Sequence, residues 1–443
     1  MNSAAVVPSF RADQLYAGLQ AARARSEALF EIVHPAALYD RPVPERHRII
    51  FYLGHLEAFD WNLLRDPLGL SSFAPDFDKL FAFGIDPVDG GLPSDQPKDW
   101  PSVRRVRAYH KQLRETLDAA IRENGTKDPS LTRLEHGRLL EVAIEHRLMH
   151  SETLCYMLHQ LPVDRKFSQP MGEAPSVTAH GPCCVEIPSG AATLGLGRSE
   201  DGPFGWDNEF EEHRVEVPAF AIDTNSVTNM DYLRFLRDGG YERRALWSDS
   251  GWEWITSKEH RYPTFWIPRG DTWCYRGMFA EIPLPLNWPA YVSHDEASAY
   301  ARWAGKELPS EPEWHRAACG TRDGSERAFP WGAEDPSARH GNFDFERWDP
   351  VPVGSYPEAK SDFGVADLVG NGWEWTRTPF APFPGFRPFS FYPGYSANFF
   401  DGKHFVMKGG SPRTAAGMLR RSFRNWFQPH YPYVYAKFRC VEH

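Results

Sequence analysis

No run of about 18 or more apolar residues occurs in this sequence, which excludes a helical membrane span. Cysteine is sparse: six in 443 residues, at positions 155, 183, 184, 274, 319 and 440. No Cys-x-x-Cys occurs, so zinc ribbons and thioredoxin-like chemistry fit poorly, and a reduced, cytoplasmic setting is expected. The opening MNSAAVVPSFRADQ lacks a basic start ahead of an apolar core, so a secretory leader is not expected either. There is no lysine-rich run, and the formal net charge is −10. Both features disfavour a general nucleic-acid binder.

What the chain has in abundance is aromatic side chains, 14% of residues, with 16 Trp that lie mostly after residue 245. Such a composition favours short elements whose core area comes from rings rather than from long helices. The length is too great for one ordinary core, and the sequence has two halves of different character.

Residues 1–161 read as four amphipathic helices, an antiparallel bundle with a long crossover between the second and third. The first spans about 11–32, with Leu15, Leu19, Ala22, Leu29 and Ile32 at helical intervals. The second is expected to begin near Pro44 and carries Ile49, Ile50, Leu53, Leu56 and Phe59, with His55 among them. The third covers about 102–122, and the fourth runs from an Asp128-Pro129 cap to about Gln160. Residues 162–184 are polar, rich in Pro, Ser and Gly, and read as a linker. From 185 to 443 short strands and turns dominate, with capping boxes at Ser293–Glu296 and Ser310–Glu313, and an α+β domain is expected.

One stretch of the bundle, EHRLMHSET, places His146 and His150 four residues apart, on one helical face and within reach of a single ion. Alone this is weak evidence. A shuffled chain with 17 His would contain roughly 0.65 such pairs. Glu145 and Glu152 flank the pair, either as hydrogen-bond partners of the histidines or as solvated helix surface.

The second half carries VTNMDYLRFLRDGGY (227–241), RWAGKELPSEPEW (302–314), GNGWEW (370–375), KGGS (408–411) and FRNW (423–426), in that order. Together these resemble the domain shared by formylglycine-generating enzymes and sulfoxide synthases, a variant of the C-type lectin fold. With a helical bundle ahead of it, the chain resembles the ergothioneine-biosynthesis sulfoxide synthases (EgtB type), which pair a DinB-like four-helix bundle with a formylglycine-generating-enzyme-type domain. Those are non-haem iron enzymes that use O₂ to join a sulfur donor to C2 of the imidazole of hercynine. The resemblance implies Fe(II) held by one histidine of the second helix and the HxxxH pair of the fourth, here His55, His146 and His150. By residue type alone, three histidines with open positions suit zinc as well as iron.

The resemblance also implies roles for residues in the second half. In the synthases a tyrosine in the loop matching 373–402 acts as proton or hydrogen donor and steers O₂ away from plain thiol dioxygenation. Its place falls to Tyr392, and the substrate-holding tyrosine is then Tyr395. An Asn-Trp pair lines the hercynine pocket in the family, here Asn425 and Trp426.

Three departures stand out. Phe427 replaces an aspartate that commonly faces the quaternary amine, a task an aromatic face can take over by cation–π attraction. Met149 stands where many synthases carry a substrate-bonding glutamine. The loop 90–105 has no arginine before Arg104, whereas synthases using γ-glutamylcysteine grip its carboxylates there; Arg104 and Arg105 could still face the site. A donor with fewer carboxylates follows, a thiol or a selenol, and the selenoneine synthase (SenA type) branch, which uses a selenosugar, enters consideration. The expected partners are therefore small molecules, without nucleic acid or membrane. The rivals are a formylglycine-generating enzyme, disfavoured because only Cys440 occurs between Gly409 and Val441, a non-enzymatic lectin-like binding module, and an ovothiol-type synthase acting on histidine and cysteine.

Overall fold

The computed structural model describes residues 8–82, 92–127, 135–170, 175, 184–199 and 202–443. It divides into two compact units, Met1–Gln169 and Pro170–His443.

The first unit is helical: α1 (Pro8–Glu31), α2 (Ile49–Leu64), α3 (Pro75–Leu80), α4 (Val103–Lys127) and α5 (Glu135–Gln160). Helix α4 shows why the sequence folds this way. Val106, Tyr109, Leu113, Leu117 and Ile121 recur at intervals of three and four and are all buried. Helix α2 is the central element, buried almost all round, and packs against both α4 and α5, while α1 lies along α5. None of the described helices is long and apolar enough to cross a membrane.

Four points of this half need correction or completion. Helix α2 starts at Ile49 rather than near Pro44. Its first N–H groups are taken by the preceding chain, Ile49 N donating to Asp40 O (3.1 Å) and Ile50 N to Leu38 O (2.7 Å). The short helix α3, inside the crossover, was not anticipated. The proposed cap at Asp128-Pro129 lies outside the described residues. The polar stretch after 161 begins as part of the bundle: Lys166 bridges to Val33, and its ammonium donates to Leu158 O (2.8 Å).

The second unit is α+β, built of small sheets and short helices. Strands β1 (Cys184–Ile187), β2 (Gly190–Leu194), β3 (His213–Val217) and β4 (Phe220–Asp223) precede helices α6 (Asn229–Arg237) and α7 (Asp249–Ser257). Then come β5 (Trp266–Arg269), β6 (Thr272–Arg276), β7 (Glu281–Pro283), α8 (His294–Trp303) and α9 (Glu311–Cys319). The chain ends with β8 (Gly372–Pro379), β9 (Phe405–Gly410), β10 (Asn425–Phe427), β11 (Ala436–Lys437) and β12 (Val441–Glu442). The sheets run β1-β4-β12, β2-β3, β5-β6-β7 and β10-β9-β8-β11. Strand β12 pairs with β4, so the last strand closes the sheet that the first one opened. Both expected capping boxes form, Ser293 with Glu296 at α8 and Ser310 with Glu313 at α9.

The recurrent motifs of this unit turn out to be its framework. The glutamate of WEW, Glu374, is fully buried and accepts from Arg439 (2.5 Å), Lys437 (2.8 Å), Trp314 Nε1 (2.8 Å) and Ser226 Oγ (3.2 Å). Those two cations hold its carboxyl at about 2, against the burial that would raise it. In FRNW, Arg424 pairs with Glu311 (3.0 Å). In KGGS, Lys408 donates to Arg421 O (2.9 Å) and Phe423 O (2.7 Å). Gly409 has φ 93°, and a Cβ there would come within 2.5 Å of Leu368 O, so only glycine fits.

Candidate functional site

In the first unit one ring nitrogen from each of His55, His146 and His150 lies within 4.8 Å of the others. All three side chains are buried. Helix α2 supplies His55 and one face of α5 supplies the other two, as the four-residue spacing requires. His55 Nε2 and His150 Nε2 are 3.3 Å apart. Two nitrogens each about 2.1 Å from one ion lie about 3.0–3.4 Å apart at octahedral or tetrahedral angles, so this separation suits two ligands of one ion, as it also suits a hydrogen bond between the two rings.

The protonation states fit as well. His55 Nδ1 donates to Phe81 O at 2.6 Å, which fixes the proton on Nδ1 and leaves the Nε2 lone pair directed at His150. Burial lowers the His55 pKa to about 4, despite the opposing pull of that carbonyl. Burial likewise holds His146 and His150 well below the ordinary histidine value, helped by the other imidazoles around them. All three are therefore neutral at pH 7, as ligands must be. Nδ1 of His146 and Nδ1 of His150 are buried without a hydrogen-bond partner. A neutral three-imidazole donor set of this kind accepts iron(II) or zinc(II).

The ring planes are set by packing. His146 stacks on Phe59 (3.3 Å between centroids, 9°) and His55 on Phe51 (4.8 Å, 16°). The register between helices is set by charge. Arg147, next to His146 but on another face of α5, pairs with Glu57 (2.7 Å) and Asp60 (2.6 Å) of α2 and donates to Leu56 O (2.8 Å). Glu57 also takes Arg114 (2.9 Å) and His110 (3.1 Å) of α4, and against its burial the Arg147 charge and the hydrogen bonds from His110 and Arg114 hold it well below the usual carboxylate range. This buried ionic layer locks α2 against α5 beside the imidazoles, a geometry worth more for register than for net stability.

Sequence reasoning missed Arg147, Glu57, Gly54 and Phe81. Two signals were available, a glycine immediately before His55 in a helix and an arginine immediately after His146. Glu145 and Glu152 are both buried, so the solvated-surface reading of them does not hold. Met149 is half-buried on α5. Arg104 and Arg105 are exposed on α4, with Arg105 spread over Phe77 at 5.2 Å. Asp95, in the loop before α4, is engaged by Arg41, by Arg48 (2.8 Å) and by Trp100 Nε1 (2.7 Å).

In the second unit Tyr392, Tyr395 and Trp426 form one aromatic cluster. Tyr395 is 5.6 Å from Tyr392 and 5.5 Å from Trp426, edge-on to the indole. It also stacks on Trp206 (3.9 Å), a residue that no motif pointed to. Trp426 in turn stacks on Phe380 (4.2 Å, 6°). Strand alternation separates Phe427 from this cluster. Asn425 and Phe427 point to one side of β10 and Trp426 to the other, and Phe427 lies against Tyr431 (5.2 Å, 13°). Asn425 accepts from Trp426 N (2.9 Å) through its own Oδ1.

Comparison with known proteins follows the division into units. Residues 19–154 match the DinB superfamily, and residues 170–443 match the sulfatase-modifying factor enzyme 1-like domain. A hercynine oxygenase of Mycolicibacterium smegmatis is 34% identical over 431 residues, covering 93% of this chain and 94% of the relative. A hercynine oxygenase of Mycobacterium tuberculosis is 40% identical over 244 residues, 54% of this chain and 56% of the relative. Ergothioneine biosynthesis protein 1 of Neurospora crassa is 28% identical across 91% of this chain and 55% of its own length.

Proposed function

The chain belongs to the hercynine oxygenase family, with a DinB-superfamily bundle and a sulfatase-modifying factor enzyme 1-like domain, and we propose that it joins sulfur or selenium to the imidazole C2 of hercynine using O₂ and iron(II). The observation that carries this reading is the convergence of three neutral, buried imidazoles within 4.8 Å, in a chain alike over nearly its whole length to a hercynine oxygenase. His55, His146 and His150 would hold iron(II), which would supply dioxygen activation and Lewis-acid chemistry for the coupling.

The residues of the chain do the rest. Burial and the Phe81 carbonyl keep His55 neutral with its lone pair on Nε2. Tyr392 delivers a proton from its phenol during coupling, and Tyr395 and Trp426 hold the substrate. In the reaction the C2–H and the donor S–H or Se–H are lost, the carbon–chalcogen bond and a chalcogen–oxygen bond form, and one oxygen atom of O₂ leaves as water.

The donor carries few carboxylates or none, and a selenosugar has that chemistry. Supporting this, no arginine occurs in the described part of the loop before α4. Asp95 in that loop already neutralises Arg41 and Arg48, and Arg104 and Arg105 are turned to solvent.

The test is to load the protein anaerobically with iron, add hercynine and one of cysteine, γ-glutamylcysteine or a 1-seleno-sugar, admit air and weigh the products by mass spectrometry. Coupled product, greatest with the seleno-sugar, is expected. Preference for histidine over hercynine would give the ovothiol-type reading instead. Tyr392→Phe should shift the outcome toward oxidised, uncoupled donor, and an unchanged product ratio would remove Tyr392 from the mechanism.

A further inference from the structure

Helix α3 is the least self-sufficient element of the bundle. It has six residues, and its N-cap Ala74 offers no side-chain bond. A helix so short does not persist in water by itself. Phe77 packs edge-on against Tyr109 of α4 (5.2 Å), and the polar tie of the helix is one carboxylate. Asp78, 5% exposed, accepts at Oδ2 from Ser72 Oγ (2.6 Å), Trp61 Nε1 (3.0 Å) and Arg65 Nη1 (3.1 Å). Its Oδ1 accepts from Tyr109 OH of α4 (2.6 Å), and its backbone carbonyl accepts from Asn62 Nδ2 (3.1 Å). Asp78 thus ties α3 to the end of α2 and to α4 together. Three residues later, Phe81 closes the second attachment. Its ring packs where Gly54 has no side chain, since a Cβ there would lie 2.5 Å from it, and its carbonyl takes the Nδ1 proton of His55.

We propose that Asp78 is a positioning residue for the metal ligand His55, acting through α3 and the Phe81 carbonyl. The inference rests on the reading of the three histidines as a metal site. A neutral imidazole carries one proton, on either nitrogen. With the carbonyl in place the proton stays on Nδ1 and Nε2 is a ligand. With α3 loosened, the Nε2–H form becomes accessible and the lone pair facing His150 is lost. An acid with no contact to the triad therefore sets metal affinity.

The experiment uses the full-length, metal-stripped protein titrated with Co(II). The visible d–d band reports coordination, and ¹⁵N correlation spectra of the imidazoles report the His55 tautomer. Asp78→Asn should weaken Co(II) about 10- to 100-fold, shift the band, and mix the Nδ1–H and Nε2–H forms. Asp40→Asn, which breaks a 2.7 Å ion pair to Arg165 elsewhere in the bundle, should leave all three readouts at wild type. Equal losses in both variants, or an unchanged Asp78→Asn, would overturn the proposal. If Asp78→Asn does not fold, Ser72→Ala carries the test, removing one bond to the same carboxylate. It should weaken Co(II) about fivefold, and unchanged affinity and tautomer would overturn the proposal equally. Wild-type protein that takes up no Co(II) would overturn the metal reading itself, a result separate from wild-type uptake with indifferent variants.

Discussion

Each unit buries a polar constellation, and the two are built on opposite terms. In the second unit Glu374 is charged and surrounded by donors: Arg439, Lys437, Trp314 and Ser226 all reach it. In the first, three imidazoles are neutral, and Nδ1 of His146 and of His150 lack any hydrogen-bond partner. A buried group with every bond made is a structural joint. A buried group left short of a bond costs stability, and three ring nitrogens that converge within 4.8 Å can offset that cost by holding an ion. The difference teaches where to look for chemistry, in the incompletely bonded cluster rather than in the motif that stands out in the sequence.

The sharpest way to break this comparison is to make both centres apolar or uncharged and see which property fails. His146→Leu should abolish metal binding and lower coupling activity at least about a thousandfold, since one of three ligands is gone. The metal-free protein should lose less than about 1 kcal/mol, because a similar volume replaces an imidazole with an unbonded nitrogen. Metal analysis beside urea denaturation reads both. Glu374→Gln should do the reverse, costing about 3–5 kcal/mol by leaving Arg439 and Lys437 buried without their counter-charge, with the metal content of folded molecules unchanged. A Glu374 variant of wild-type stability would dissolve the contrast.

Acid should sharpen it further. The Glu374 carboxyl sits at about 2 in the folded chain, below its ordinary 4.5. The unfolded chain therefore binds the proton more readily between those values. The contribution of Glu374 is fully present above pH 4.5 and falls by about 3 kcal/mol as pH drops to 2. The stability gap between wild type and Glu374→Gln should shrink by that amount over that window in denaturant titrations. Metal retention has its own threshold. With His55 at about 4, proton competition for that ligand begins only as pH nears 4, so Co(II) affinity should hold through pH 5.5, where ordinary histidines would already be protonated.

How much of this was legible beforehand depended on distance along the chain. The stripe of α4, the HxxxH face of α5 and both capping boxes rest on contacts within one or two turns, and periodicity exposes them. The start of α2 was misread because the groups that satisfy its first N–H donors, the carbonyls of Leu38 and Asp40, carry no residue-type signal. Helix α3 was invisible for a related reason, since Asp78 binds Trp61 on one side and Tyr109 on the other, 17 and 31 residues away. In the second unit the residues that carried the resemblance, Glu374, Lys408 and Arg424, mark the frame. Trp206, which stacks on Tyr395, lies outside every motif. Strand alternation at β10, which turns Phe427 away from Trp426, could have been read from spacing alone.

The smallest expected effect tests the link between frame and site. Helices α1 and α2 each carry an internal glycine, and replacing such a residue by alanine ordinarily gains about 1 kcal/mol of helix propensity. At Gly18 a Cβ would meet only the mobile tip of Ile144, at 3.2 Å, so Gly18→Ala should be neutral to slightly stabilising. At Gly54 the same atom would sit 2.5 Å from the Phe81 ring, which stacks near Trp100 and Tyr109 and has little room to retreat. Overpacking there should reverse the sign, to a loss of about 1–2 kcal/mol. Co(II) affinity should drop with it, as Phe81 and its carbonyl shift from His55. A stabilised Gly54→Ala with undiminished Co(II) binding would mean that the ring yields freely and that this glycine is not what brings Phe81 to the histidine.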